Sequence, residues 1–218
     1  MGKVSIITPE QTIFFDQVSK NDFIRSRFYF TGGTALSECY LQHRFSEDLD
    51  FFTEKPYETM IIGNFITALS KRLHFTFTSE LIEGSLHRFQ IMFPKKESLK
   101  VDFSYYEGNR VKKGIVYKNM PVDSLLDIAI NKMRTVQQRE SVKDFVDLYF
   151  LLQKFSIWDL IDGVKIKFNN KIEPWVLAAD LINVENFQNM PRMIKPLTLL
   201  QLKQFFREEA KKLGLQVT

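Results

Sequence analysis

Apolar positions recur at helical spacing in the first part of the chain: Ile13, Phe14, Val18, Phe23 and Ile24 follow Pro9, predicting one amphipathic helix over 8–27. A short aromatic run, Phe28-Tyr29-Phe30, then stops at Gly32-Gly33, as a strand does at a sharp turn. Beyond it, Ala35, Leu36, Cys39 and Tyr40 return to helical spacing, with Thr34 placed to cap them. Residues 46–53 read as a strand, and 57–73 as a helix carrying Ile61, Ile62, Phe65, Ile66 and Leu69. Strands follow from His74, over 85–93 and over 99–106, the last two separated by a turn at 94–98.

The pattern changes near Pro121. From Val122 onwards the spacing is helical, with Asp123 or Ser124 as a cap and helices predicted near 124–138, 141–154, 157–167, 173–184 and 197–213. Strands first and helices afterwards predict an α+β fold: a mixed sheet with flanking helices over 1–120, then an α-helical region over 121–218.

Composition narrows this little. The chain has 218 residues, enough for one large domain or two small ones, and 21 phenylalanines to fill a core. Its net charge of +4 permits a nucleotide or nucleic-acid partner without demanding one. One cysteine, Cys39, excludes an internal disulfide and fits a reducing compartment. No signal peptide and no membrane-length apolar run is visible, so the expected location is the cytoplasm. His43, His74 and His87 lack zinc-ligand spacing.

The chemistry gathers on the strands. Alternation puts Asp48 and Asp50 on one face and Leu49 and Phe51 on the other. In the later strand, Lys100, Asp102 and Ser104 oppose Leu99, Val101 and Phe103. If these strands are neighbours, the three carboxylates can hold Mg²⁺ together with substrate phosphates; as isolated residues they are ordinary solvent-facing aspartates. Gly32-Gly33-Thr34 ahead of a helix can cradle a phosphate, or be a plain tight turn. Lys132 lies on or beside the apolar stripe of its helix, where it either snorkels outward or meets an anion. Asp144 and Asp147 share a helix face and can pair with Lys132 or Arg139, or reach a nucleotide. Lys143 is a phosphate contact or a solvated lysine, and Arg44 either reaches a triphosphate or balances Glu47 and Asp48. Basic residues also collect at Lys95, Lys96 and Lys100, and at Arg110, Lys112, Lys113 and Lys118. These are solvated faces, or phosphate-steering sites if RNA is bound.

The run GGTAL, then His43-Arg44, Ser46 and Asp48-Leu49-Asp50-Phe51-Phe52, resembles the first motif of the AbiEii/AbiGii toxin family. That family belongs to the DNA polymerase β-like nucleotidyltransferase superfamily. A second block, Ile128 to Met133 with Lys132, then Arg139 and Lys143-Asp144-Phe145-Val146-Asp147-Leu148, resembles its helical motif. The resemblance spans roughly 28–152 and implies a nucleotidyltransferase-like domain whose cleft is completed by the helical region. It implies Mg²⁺ or Mn²⁺ on Asp48, Asp50 and Asp102, and catalytic parts for these three with Lys132 and Asp144. It further implies nucleotide contacts from Gly32, Gly33, Thr34, Arg44, Ser46, Lys132, Lys143 and Asp147. The implied reaction moves an NMP from an NTP to an acceptor hydroxyl, such as a tRNA 3′ end, in a toxin–antitoxin or phage-defence system with a cognate antitoxin. Transfer to a small molecule or a protein side chain, or a nucleotide-binding module without catalysis, are the alternatives.

Overall fold

A computed structural model describes residues 5–83, 85–94 and 98–215. Its elements are α1 (Pro9–Val18), α2 (Asp22–Arg27), β1 (Tyr29–Thr31), α3 (Gly32–Ala35), β2 (Leu49–Thr53), α4 (Thr59–Leu73), β3 (Thr76–Ile82), β4 (Leu86–Met92), β5 (Ser98–Tyr105), β6 (Val116–Tyr117), β7 (Met120–Pro121), α5 (Leu125–Gln138), α6 (Val142–Leu151), α7 (Ile157–Phe168), α8 (Pro174–Ile182) and α9 (Leu199–Leu215). The described chain divides into two compact units. One takes residues up to Cys39, then 46–108 and 114–123; the other takes 40–45, 109–113 and everything from Ser124 on.

The first unit is built on a five-stranded mixed sheet in the order β1-β2-β5-β4-β3. β2 and β5 run parallel, and the other neighbours are antiparallel. Register makes the sheet two-faced. Phe30, Phe51 and Phe103 stand side by side on one face, with the Phe51 and Phe103 rings stacked at 5.1 Å. Phe15 of α1 meets Phe30 edge-on at 4.9 Å and also touches Phe51. These rings are fully buried, and each contributes roughly 1.5–3 kcal/mol by leaving water. On the opposite face one row crosses all five strands: Thr31, Asp50, Asp102, Arg88 and Glu80.

Several expected elements differ in detail. The helix expected over 8–27 is two helices: Thr8 and Gln11 form a capping box for α1, and Asn21 starts α2 by accepting from the Ile24 N–H. The helix after the glycines is the short α3 followed by a π-helical turn over Leu36–Leu41. The strand expected over 46–53 begins at Leu49, so Asp48 lies just ahead of it. Residues 116–121 add a hairpin that the apolar pattern does not announce. Its turn, Lys118-Asn119, has φ of 44° and 65°, the primed geometry that Asn-Gly or Asp-Gly would have signalled.

In the second unit, Ser124 caps α5 by accepting from the Asp127 N–H, and that settles which of the two candidates is the cap. Asp123 instead accepts a 2.9 Å bond from the Thr31 hydroxyl within the first unit. α5 packs on α7 where a Cβ on Gly163 would come within 2.5 Å of Ile130, so only glycine fits. Asp127 and Lys167, both with fully buried side chains, pair at 2.8 Å, and Asp127 also accepts from the N–H groups of Val111 and Lys112. The segment around His43 is stitched to 192–195: the Phe45 N–H donates to Arg192, and the Ile194 and Lys195 N–H groups donate to His43. Among the described residues no helix is long and apolar enough to cross a membrane.

Candidate active site

The polar face of the sheet starts from alternation and is completed by register. Asp50 and Asp102 are direct neighbours across the parallel pair β2–β5, because Leu49 and Phe51 pair with Val101 and Phe103 on the core face. Gly32, at φ +75°, closes β1 beside them; a Cβ there would lie 2.0 Å from Asp50 Oδ2. Only glycine tolerates both that backbone angle and that approach. Thr34 is fully buried, and its hydroxyl donates to the main-chain carbonyl of Asp48, tying the glycine turn to the start of the acidic strand. Gly33 is half-buried and Ser46 is buried in the same unit.

Two cations face the carboxylates. Arg88 is the register partner of Asp102 on β4 and grips it with two bonds, Nε–Oδ1 at 3.0 Å and Nη2–Oδ2 at 2.9 Å. The Asp102 carboxylate, with burial acting against it, holds the Arg88 guanidinium above its usual pKa. Lys100 Nζ lies 2.6 Å from Asp48 Oδ2, both groups about a third exposed. Among the described residues no three His, Cys, Asp or Glu side chains converge as a cage for a metal ion. The backbone nonetheless sets hard oxygen donors of the kind Mg²⁺ takes side by side at 50 and 102. The Asp48 carboxylate is turned onto Lys100 instead of onto them.

The second unit holds a separate charged centre on α5 and α6. Lys132 Nζ lies 2.6 Å from both Asp144 Oδ1 and Asp147 Oδ2. Arg44, 2% exposed, forks onto Asp147 through Nε at 2.6 Å and Nη2 at 2.8 Å, and His43 Nε2 meets the same carboxylate at 2.7 Å. Arg139 bonds Asp144 at 2.8 Å from a largely exposed position. Burial opposes the charge on Asp147, but Lys132, Arg44 and His43 outweigh it and hold the carboxyl well below its usual range. Asp144 is likewise lowered, burial being overcome by Lys132 and Arg139. Burial would also discharge Lys132, yet the two aspartates keep its pKa above normal. Burial pushes the His43 imidazole down, so it is neutral near pH 7. Buried charges persist only when paired this closely.

Lys132 meets anions instead of snorkelling, and Asp144 and Asp147 pair with it. Arg44 grips Asp147 and donates to the Phe45 carbonyl. Lys143 stands exposed on α6. Arg88 and His43 escaped notice as site residues. Arg88 sits in an alternating strand, and the sequence does not give the strand order that pairs it with Asp102. Lys95 and Lys96 lie outside the described residues, whereas Lys112, Lys113 and Lys118 are exposed.

A family model described as nucleotidyl transferase AbiEii toxin, Type IV TA system, matches residues 17–216. An uncharacterized protein of Aquifex aeolicus (strain VF5) is 33% identical over 173 residues, covering 73% of this chain and 74% of that protein. Two solved structures share the fold. JHP933 from Helicobacter pylori has a TM-score of 0.56 at 21% identity, covering 97% of this chain and 96% of its own. MenT4, a nucleotidyltransferase toxin of Mycobacterium tuberculosis H37Rv, has a TM-score of 0.54 at 14% identity, covering 93% and 82%.

Proposed function

The chain belongs to the AbiEii nucleotidyltransferase toxin family, and from that premise we propose that it moves an NMP from an NTP to the 3′ hydroxyl of a tRNA, with Mg²⁺ as cofactor and an antitoxin protein as its partner. In this reading the acceptor oxygen forms a bond to the α-phosphorus, the bond to the bridging oxygen of the β-phosphate breaks, and pyrophosphate leaves. Asp48, Asp50 and Asp102 are the residues to hold the ion; when bound, it neutralises phosphate charge and aligns the triphosphate. Asp102 takes the proton of the acceptor hydroxyl. Two of its carboxylate lone pairs go to Arg88, which leaves the others for that task. Gly32 and Gly33 let the backbone approach the phosphates closely. Lys132 is assigned to a phosphate, its ammonium fixed by Asp144 and Asp147.

The observation that carries the reading is the in-register pair of Asp50 and Asp102 with Gly32 packed against the first of them. The exposed Lys112, Lys113 and Lys118 suit an RNA acceptor, whose binding would then weaken as salt rises. Incubation with each α-labelled NTP, Mg²⁺ and total tRNA tests the acceptor. The expected result is label on tRNA; label on protein or on a small molecule would move the acceptor to that class, and no label from any NTP would refute the transfer.

A further inference from the structure

The two cations on the polar face hold their carboxylates in different ways. Arg88 makes two bonds to Asp102, whose side chain is 7% exposed, and the two residues are fixed opposite each other by strand register. A bidentate clamp on a buried carboxylate is strong and fixes its orientation. Lys100 makes one contact to Asp48, which lies just outside β2, and both ends of the pair reach solvent. A single contact between flexible, part-solvated groups is weak and exchangeable.

We infer that Lys100 is an exchangeable counter-cation: it holds the Asp48 carboxylate, and a divalent ion entering the face must displace it, whereas Arg88 stays in place and orients Asp102. The inference rests on the metal-binding reading of Asp48, Asp50 and Asp102 proposed above. Lysine ammonium and a divalent ion are both hard cations seeking the same carboxylate oxygen, so they compete. The exchange releases the ammonium on the strand face that carries Asp102, where a triphosphate is the anion the proposed reaction supplies. Lys100 is thereby a positioning residue acting through Asp48.

Mn²⁺ binding, followed by loss of the free-ion EPR signal, tests this on the full chain without any turnover. Lys100→Met and Lys100→Gln should bind Mn²⁺ about two- to fivefold more tightly than wild type, the scale of a part-exposed ion pair. Lys100→Arg, which keeps the pair, should bind as wild type does. Lys71→Met, an equal charge change on the exposed side of α4, should also leave affinity unchanged. Two uncharged variants guard against a folding defect in either one. Wild-type affinity in both overturns the exchange and leaves the metal platform standing. Equal tightening in Lys71→Met overturns it too, because a general change of charge then explains the result. Absence of Mn²⁺ binding in every protein removes the metal platform itself.

Discussion

The backbone of Gly32 lies against the carboxylate of Asp50, so closely that a Cβ would stand 2.0 Å from Oδ2. With φ at +75°, alanine would be strained there even without the clash. Gly32→Ala should therefore displace Asp50 and cost about 1–3 kcal/mol of stability, together with most nucleotidyl transfer. Denaturant unfolding and a labelled-NTP assay check the two effects. Alanine at Gly33, which has no positive φ, should be milder in both.

Asp147 is the hub of the buried centre in the helical unit, shared by Lys132, Arg44 and His43. Asp147→Ala leaves Arg44 buried without its main counter-charge and should cost about 3–5 kcal/mol. Asp144→Ala should cost less, because Lys132 keeps Asp147 and Arg139 turns to water. The midpoints of urea unfolding curves rank the two variants.

Acid should destabilise the protein before its carboxylates titrate. Burial lowers the pKa of His43, while its bond to Asp147 works the other way without reversing the shift. Unfolded, this histidine takes a proton near pH 6.5. Between the folded and unfolded values the unfolded chain binds more protons, so stability rises with pH there and falls on acidification. His87, lowered by burial against its bond to Thr59, adds in the same sense. From pH 7 to 5.5 both histidines should therefore lower the unfolding free energy, the deeply buried His43 more than the part-exposed His87. His43→Gln should flatten the unfolding free energy over that range more than His87→Gln does. The lowered carboxyls of Asp144 and Asp147 add a further loss only as pH falls through the unfolded carboxylate value near 4 and below.

Strand alternation made much of this architecture legible in advance. It separated Asp48, Asp50 and Asp102 from Leu49, Phe51, Val101 and Phe103, and helical spacing put Lys132 beside an apolar stripe and Asp144 and Asp147 on one helix face. What it lacked was information on which strands are neighbours. Arg88 and Lys100 acquire meaning only when β4 and β5 are paired and β5 is set parallel to β2. Arg44 shows the same limit. The sequence offers it a triphosphate or the neighbouring Glu47 and Asp48, and nothing nearby points to Asp147, 103 residues away, which its guanidinium grips. The break between α1 and α2 is local, and Asn21 was the signal for it. An apolar pattern that runs on through the junction, with Val18 ahead of it and Phe23 and Ile24 after it, masked the cap.

The proposed transfer takes place on the polar face of the sheet. The most direct measurement is the rate of label transfer from NTP by Asp50→Asn and Asp102→Asn, each confirmed folded by its unfolding midpoint, beside Asp22→Asn as a control on exposed α2. Both strand variants should lose activity by roughly a thousandfold or more, as loss of a metal-holding or proton-accepting carboxylate does, and Asp22→Asn should match wild type. A folded Asp50→Asn or Asp102→Asn that transfers label at the wild-type rate would contradict the account.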